Sequence, residues 1–248
     1  MALRREGFWD EHYGEELNNF DDAGDEGEVW FGRGLSRKIC AQVVDRLKTD
    51  VHYGSLPKIE ILDIGCGNGF LISNLALQVK NQYDKNEHAK CHYMGIDYSA
   101  NSIELSKKIL ATKDLDISDV TLRQCNFLDC GQIKEECSSK KFHFVIDVGT
   151  YDAICLLSSE SESKLSQTQI AYMRSLYTVV QDGTTFFLAS CNHTRDELMC
   201  LFELDCPLRL PVTLVGEIET PKLRFGGQEG SQVSCLIIKF GLSPCKAP

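Results

Sequence analysis

The sequence lacks the features of a secreted, membrane-spanning or zinc-binding protein. No apolar run is long enough to span a bilayer, and the N-terminus has no apolar signal core. The twelve cysteines include no Cys-x-x-Cys pair and no spacing of cysteine and histidine that suits zinc. These absences predict a soluble protein with reduced cysteines, located in the cytoplasm with the nucleus as a second compartment. They also predict no metal cofactor and no membrane partner.

Basic residues are also in short supply, because 26 Lys and Arg stand against 36 Asp and Glu and give a net charge of -10. Binding to the phosphates of nucleic acid depends on clustered Lys and Arg, so this balance argues against a direct nucleic-acid partner. It favours a basic partner or a cationic substrate, although solubility alone explains it equally well. The 248 residues fit one large α/β domain, and we expect a monomer.

The most informative stretch runs from residue 59 to residue 70, IEILDIGCGNGF. Its apolar first half predicts a buried strand, while Gly65, Gly67 and Gly69 predict a sharp turn that approaches a ligand before a helix begins. Asp63 directly precedes this turn, where its charge would repel a diphosphate. The stretch therefore favours a nucleotide-like ligand that carries positive charge, with an ordinary glycine-rich turn as the alternative.

Acidic residues follow two further predicted strands, at the edge where ligands bind doubly wound sheets. Asp97 ends the second predicted strand, where an acid can accept hydrogen bonds from both hydroxyls of a ribose. A helix-capping role for this turn, with Ser99 as the cap, is the alternative. Asp147 and Tyr151 follow the fourth predicted strand, and a carboxylate and a phenol there can orient an amine nucleophile. Capping of the following loop is the alternative for Asp147.

The segment before the first strand combines aromatic and acidic side chains, and both tryptophans of the chain lie there. Trp9, Tyr13 and Leu17 are spaced as one stripe of a short helix. We predict that residues 1–35 form an N-terminal helix and an aromatic and acidic lid, ahead of a main domain at residues 36–248. A helix that is merely pinned to the domain by its aromatic stripe is the alternative.

The C-terminal third of the sequence supplies fewer candidates. Asn192 and His193 follow the fifth predicted strand and are candidates for lining a substrate pocket, although a lone histidine at a strand end is more often structural. The chain then carries strands predicted at 214–218 and 233–240, joined by a long connection that contains glycine. Such a pair is typical of an antiparallel edge on a parallel sheet.

The pattern Asp-x-Gly-x-Gly-x-Gly at residues 63–69 resembles the first motif of seven-stranded S-adenosylmethionine (AdoMet) methyltransferases. Four other stretches are similar to the protein-lysine methyltransferases that modify translation elongation factor 1-alpha, and most of all to the lysine methyltransferase 2 group. They are residues 8–13 (FWDEHY), 27–32 (GEVWFG), 147–152 (DVGTYD) and 220–227 (TPKLRFGG). The resemblance extends over nearly the whole chain.

The resemblance implies an α/β fold with a doubly wound, mostly parallel seven-stranded sheet and an antiparallel edge strand. It also implies an enzyme that uses AdoMet, releases S-adenosylhomocysteine (AdoHcy), needs no metal and methylates a lysine of elongation factor 1-alpha. A small-molecule methyltransferase and a non-catalytic AdoMet-binding scaffold remain as alternatives. A nicotinamide oxidoreductase is disfavoured by Asp63 and by the long spacing between the glycines and Asp97.

The motifs and the resemblance together give the candidate site residues. The catalytic candidates are Asp147 and Tyr151. The cofactor-binding candidates are Trp30, Asp63, Gly65, Gly67, Asp97, Tyr98, Asn126, Phe127 and Asp147. Within that set, Asn126 and Phe127 receive the adenine, while Trp30 and Asp147 lie where the methionine end of the cofactor meets the acceptor.

Three positions depart from the pattern of the resembled family. Val148 stands where relatives usually carry Lys, Tyr151 stands where Phe is common, and Asn126 stands where Asp is usual. The amide oxygen of Asn126 can still accept a hydrogen bond from the adenine amine. As a neutral acceptor it should bind that amine less strongly than a carboxylate would.

Overall fold

The computed structural model describes residues 7–50, 53, 56–82, 90–157, 166–203, 210–220, 222–225 and 228–241. The chain divides into two units, Met1–Phe127 and Leu128–Pro248, called here the N-terminal unit and the C-terminal unit. Three positions of the predicted 220–227 motif, Pro221, Gly226 and Gly227, lie outside the described residues.

The N-terminal unit contains four helices and three strands among its described residues. They are α1 (Phe8–Ala23), α2 (Gly32–Thr49), β1 (Ile59–Ile64), α3 (Phe70–Gln82), β2 (Cys91–Asp97), α4 (Ala100–Ala111) and β3 (Val120–Gln124), with a short 3-10 turn at Ile117–Asp119. The strands lie in the order β3-β2-β1, and both pairs are parallel. Because parallel strands end at the same edge of a sheet, the residues after β1, β2 and β3 are brought to one side.

Strands β1 and β2 are buried along nearly their whole length, as expected for parallel strands that are covered on both faces. Gly95 in the middle of β2 shows how closely α3 and β3 pack there. A Cβ at this position would lie 2.6 Å from a methyl group of Ile72 and 2.8 Å from one of Leu122. Any side chain at residue 95 would therefore push these neighbours away from the strand.

The C-terminal unit carries the remaining elements. They are α5 (Cys130–Glu136), β4 (Phe144–Val148), α6 (Thr150–Leu156), α7 (Gln167–Val179), β5 (Thr185–Ser190), α8 (Arg195–Cys200), a 3-10 turn at Leu201–Glu203, β6 (Val212–Glu217), β7 (Lys222–Phe225), β8 (Gln228–Ser231) and β9 (Ser234–Phe240). Strands β4 and β5 are parallel, while β9 runs antiparallel to both β5 and β6. Strand β6 alternates between half-buried and exposed residues, which is the pattern of an edge strand.

Seven of these strands, β1 to β6 and β9, form one mixed sheet, and this confirms the predicted fold class with antiparallel pairing at one edge. The reversed strand is β9, which lies between β5 and β6, so that β6 is the edge strand. The sequence predicted a long connection that contains glycine between β6 and β9. In the structure this connection holds a separate hairpin of β7 and β8, which the sequence did not predict.

Candidate active site

The glycine loop, residues 65–70, follows β1 and begins the turn into α3. Gly65, Gly67 and Gly69 all have positive φ values, of 68°, 53° and 73°, which favour glycine over other residues. A Cβ at Gly67 would lie 2.6 Å from the hydroxyl oxygen of Tyr13. The loop therefore has the backbone shape that the sequence predicted, and a side chain from α1 lies directly on it.

Asp97, at the end of β2, is buried and holds the glycine loop in place. Its Oδ2 accepts a hydrogen bond from the backbone N–H of Gly67 at 3.1 Å, and its Oδ1 accepts one from the N–H of Ser99 at 3.0 Å. Ser99 in turn caps α4 by accepting a hydrogen bond from the N–H of Ser102. Burial raises the pKa of Asp97, although these hydrogen bonds oppose the rise. The capping role predicted for Ser99 is confirmed, while ribose binding by Asp97 stays a prediction.

Asp63, the acid that precedes the glycine loop, is buried at the end of β1. Burial raises the pKa of the Cys66 thiol well above its usual value, and the charges of Asp97 and Asp63 raise it further. Two carboxylates therefore act on the same point of the loop. This arrangement fits a ligand with a cationic group and hydroxyls, and it is unsuited to a diphosphate because the like charges would repel.

The remaining cofactor candidates of the N-terminal unit differ in exposure. Tyr98 and Trp30 are exposed by 40% and 36%, and Asn126 is exposed as well. Phe127 is buried after β3. The indole rings of Trp30 and Trp9 meet edge to face, with centroids 5.1 Å apart. Trp30 is therefore held against α1 while part of its surface stays accessible.

Helix α1 is attached to the turn that follows Asp97. The Asp10 carboxylate accepts a hydrogen bond from the Ser99 hydroxyl at 2.7 Å. The backbone carbonyl of Asp10 accepts a second one from the Asn101 side-chain amide at 2.9 Å. The Tyr98 hydroxyl accepts a hydrogen bond from the N–H of Trp9 in the first turn of α1. The sequence predicted a helix with an aromatic stripe, but it did not identify Asp10 or Tyr13 as residues of the site.

The loop between α1 and α2, which carries Trp30, is fixed from two sides. Glu16 of α1 is buried and accepts a hydrogen bond from the N–H of Glu28 at 2.7 Å. The Asn68 side chain donates to the carbonyls of Glu26 and Glu28 at 2.8 and 3.1 Å. Since Asn68 belongs to the glycine loop, the segment that carries Trp30 and the glycine loop are tied together.

Asp147, the main catalytic candidate of the C-terminal unit, is fully buried near the end of β4, just before α6. Its Oδ1 accepts a hydrogen bond from the N–H of Thr150 at 2.9 Å, and the N–H of Tyr151 lies 3.2 Å from both carboxylate oxygens. Its Oδ2 also accepts a hydrogen bond from the Tyr172 hydroxyl at 2.7 Å. Burial raises the pKa of Asp147 to about 7. The capping alternative is thus observed, and the catalytic and cofactor contacts of Asp147 stay predictions.

Tyr151, the second catalytic candidate, has only 1% of its surface exposed. Its hydroxyl accepts a hydrogen bond from the Gln169 amide at 2.7 Å. Its ring lies 5.1 Å from the rings of Tyr172 and of His193, measured between centroids. Tyr151 therefore helps to join α6, α7 and the end of β5, and its role in orienting an amine stays a prediction.

A second polar cluster of the C-terminal unit lies around Asp152, which is buried. Asp152 accepts hydrogen bonds from the Ser190 hydroxyl and from the N–H of Cys191, and it pairs with His193 Nδ1 at 3.3 Å. Burial alone would raise the pKa of Asp152, but hydrogen bonds from His193 and Ser190 bring it below the usual value. The bond to Asp152 raises the pKa of His193 to about 9, with help from Cys155.

His193 is half-buried, unlike Asp147 and Tyr151, so it is the most accessible of these acid and base groups. Nothing in the sequence marked its pairing with Asp152, since the two residues are 41 positions apart and meet only in the fold.

Within the described residues, no group of three His, Cys, Asp or Glu is arranged to hold a metal ion. Within the same residues, no helix is long and apolar enough to cross a membrane.

Comparison with known proteins decides the family. A family model described as "Methyltransferase domain" matches residues 56–222. "EEF1A lysine methyltransferase 2" from Mus musculus is 32% identical over 239 residues, which cover 96% of this chain and 84% of the mouse protein. The chain belongs to this methyltransferase family. "Protein-lysine N-methyltransferase efm4" from Schizosaccharomyces pombe is 29% identical, over 96% of this chain and 92% of the yeast protein.

Solved structures agree on the fold. A TehB-like SAM-dependent methyltransferase from Corynebacterium glutamicum superposes with a TM-score of 0.54, at 12% identity, over 93% of this chain and 97% of that one. At such low identity the likeness concerns the fold alone. The predicted enzyme class, an AdoMet-dependent methyltransferase, is confirmed by the family, and the nicotinamide oxidoreductase alternative is excluded.

Proposed function

We propose that this methyltransferase transfers a methyl group from AdoMet to the ε-amine of a lysine in translation elongation factor 1-alpha. The observation that carries the proposal is the match to "EEF1A lysine methyltransferase 2", which extends over 96% of this chain and 84% of the relative. A shared catalytic domain alone would support only the transfer of a methyl group. Because the match also includes the N-terminal aromatic stretch, it supports the same kind of acceptor as that of the relative, a lysine of elongation factor 1-alpha.

The N-terminal unit is the cofactor-binding part of the proposal. When bound, AdoMet supplies an electrophilic methyl group on a sulfonium. Asp97 would accept hydrogen bonds from the ribose hydroxyls, and Asp63 would interact with the cationic end of the methionine portion. Gly65 and Gly67 allow the close approach of the backbone. Tyr98, Asn126 and Phe127 would hold the adenine, and Trp30 would contact the methionine end.

The C-terminal unit is the acceptor part. A free lysine has a pKa near 10.4, so only about one part in a thousand is neutral at pH 7. The site has to favour that neutral amine and orient its lone pair, with loss of the proton to solvent as the simplest route. Asp147 and Tyr151 are both buried and hydrogen-bonded within their own unit. We therefore propose that they act by fixing the loop around the lysine, as positioning residues.

Labelling with radioactive AdoMet tests this function. Purified protein is added to a cell lysate in which endogenous methylation has been blocked, and protein and small-molecule fractions are counted separately. We expect label on elongation factor 1-alpha, lost when Asp97→Ala replaces the wild type. Label on a small metabolite and on no protein would replace the proposal with a small-molecule methyltransferase. Tight AdoMet binding without labelling of any fraction would favour the scaffold alternative.

We also propose a monomer in the cytoplasm and nucleus that works without metal, membrane or direct nucleic-acid partner. The large excess of acidic residues supports the last point. Light scattering on the purified protein measures the oligomeric state, and imaging of a tagged chain measures the location. Labelling that is unchanged by a chelator is the result expected for a metal-independent enzyme.

A further inference from the structure

Five backbone amides of the glycine loop are already engaged inside the N-terminal unit. Gly65 and Cys66 both donate to the carbonyl of Ile96, at 2.8 and 2.9 Å. The other three bonds run from Gly67 to Asp97, from Gly69 to Cys66 and from Phe70 to the side chain of Asn68. A glycine loop before a helix usually offers such amides to an anion. These five amides are therefore engaged, which favours a donor from another part of the unit for an anionic group of a ligand.

Tyr13 of α1 places such a donor on the loop. Its hydroxyl oxygen lies 2.6 Å from the position that a Cβ of Gly67 would take. The ring stacks on Trp9 with centroids 6.2 Å apart, and the residue as a whole is half-buried. Among the groups that the structure describes, none forms a hydrogen bond with this hydroxyl. Helix α1 is in turn held by the bond between Asp10 and Ser99.

The surroundings of Tyr13 keep its hydroxyl protonated. Burial raises the pKa of Tyr13 well above its usual value, and the charges of Asp97, Glu16 and Asp63 raise it further. The hydroxyl is therefore a hydrogen-bond donor at every physiological pH. Carboxylates already face the cationic and hydroxyl-bearing groups of a ligand at this loop. The ligand group left for Tyr13 is an acceptor, and an anionic acceptor gives the stronger bond. A cationic group of the same ligand, such as the ammonium of an amino acid, has to offset the repulsion that Asp97, Glu16 and Asp63 exert on that anion.

We propose that the Tyr13 hydroxyl binds the carboxylate in the methionine portion of AdoMet and AdoHcy. The inference rests on the proposed function only in taking AdoMet as the cofactor, and it adds a residue of the N-terminal helix to the cofactor site. The carboxylate is the only anionic group of that cofactor. Among the described residues, Tyr13 is a donor without a partner beside Gly67, whereas the five loop amides named above donate elsewhere.

Arg33 is the rival for the same carboxylate. Its guanidinium lies 5.1 Å from the centroid of the Phe70 ring, at the start of α3. It is also 3.6 Å from a carboxylate oxygen of Glu26, and about half of its side chain is exposed. Arg33 thus already has an anionic partner and solvent around it, while Tyr13 has neither a partner nor full exposure. These differences favour Tyr13.

Calorimetry with two ligands tests the proposal. AdoHcy contains the amino acid portion, and 5′-methylthioadenosine lacks it completely. The full chain with Tyr13→Phe keeps the ring that stacks on Trp9 and loses only the hydroxyl. We expect AdoHcy to bind about 10-fold to 100-fold more weakly. Binding of 5′-methylthioadenosine, measured by displacement of AdoHcy if it is weak, should change less than about twofold. Tyr93→Phe removes a hydroxyl from buried β2 and is the matched control.

Each remaining outcome counts against the proposal. Equal weakening of both ligands by Tyr13→Phe would mean that the hydroxyl supports the site or the adenosine end. No weakening of either ligand would mean that it makes no cofactor contact. If Arg33→Met separates the two ligands and Tyr13→Phe does not, the carboxylate belongs to Arg33. Failure of the proposed function would give other results. If AdoMet is not the cofactor, the wild type would bind neither ligand. If only the acceptor is wrong, elongation factor 1-alpha would stay unlabelled while the effect of Tyr13→Phe on AdoHcy binding remained.

Discussion

The two units use their predicted polar residues in different ways. In the N-terminal unit, Asp97 holds the glycine loop at Gly67. The sequence predicted both a ribose-binding role for Asp97 and a ligand-binding turn at these glycines, and the two features lie together in the structure. In the C-terminal unit, Asp147 and Tyr151 are buried, and hydrogen bonds join them to α6 and α7. The residues predicted to bind the cofactor therefore follow short local patterns, whereas the residues predicted to act on the acceptor are buried and support a loop of their own unit.

The largest effect expected from this difference is the loss of cofactor binding in Asp97→Ala. The change leaves two buried N–H groups, of Gly67 and Ser99, without an acceptor and removes the proposed ribose contact. Each unpaired group costs about 1–3 kcal/mol. We expect the Kd of AdoHcy to rise by about 100-fold or more in calorimetry. The variant Asp97→Asn keeps one acceptor oxygen and should lose less. If Asp97→Ala bound AdoHcy with a Kd within about threefold of the wild-type value, the contrast between the two units would be wrong.

A change in the other unit should separate turnover from binding. Asp147→Ala removes the acceptor for the first amides of α6 and for the Tyr172 hydroxyl. Because the loop then shifts, we expect kcat at saturating AdoMet to fall by about 10-fold to 100-fold, with a much smaller change in the Kd of AdoHcy. Asp147→Asn keeps an acceptor for the same amides and should retain most of the turnover. Similar losses of binding and turnover in Asp147→Ala would show that the two units do not divide these tasks.

The pair of His193 and Asp152 gives the C-terminal unit a pH dependence. The hydrogen bond to Asp152 raises the pKa of His193 to about 9, above the usual value near 6.5. The stabilisation from this pair is therefore fully present below about pH 6.5 and is lost as the pH rises through about 9. NMR titration of the imidazole measures the effect, and Asp152→Asn should bring the pKa down by at least about one unit. An imidazole that titrates near 6.5 in the wild type would contradict the assigned pair.

The smallest effect is expected at the surface of the N-terminal unit. Lys108 of α4 pairs with Asp21 of α1 at 2.7 Å, but both side chains are substantially exposed. Exposed ion pairs contribute little to stability. Lys108→Ala should change the Kd of AdoHcy by less than about twofold and the Tm by less than about 2 °C. A large loss of affinity would show that the surface pair, and not the half-buried contacts of Asp10 and Tyr13, holds α1 on the glycine loop.

The sequence predicted those parts of the molecule whose signals are local. The apolar first half of the stretch at residues 59–70 correctly predicted β1, and the three glycines correctly predicted the sharp turn after it. Ser99 was correctly expected as a helix cap. The hairpin of β7 and β8 was missed, because a short polar hairpin has no apolar alternation that distinguishes it from a loop.

Long-range contacts set the limit of that prediction. Tyr13 lies more than fifty residues before Gly67, and nothing in the spacing of an amphipathic helix shows which loop it will cover. The pairing of Asp152 with His193 is hidden for the same reason. Asp147 illustrates a second limit, since an acid at a strand end looks the same in sequence whether it touches a substrate or caps a helix.

Mass spectrometry of purified elongation factor 1-alpha tests the central claim most directly. The factor is incubated with the wild-type protein and AdoMet that carries a deuterated methyl group, and its peptides are then fragmented to locate the label. We predict deuterated methyl groups on a lysine side chain, absent when Asp97→Ala is used instead. An unlabelled elongation factor, or label on residues other than lysine, would contradict the account.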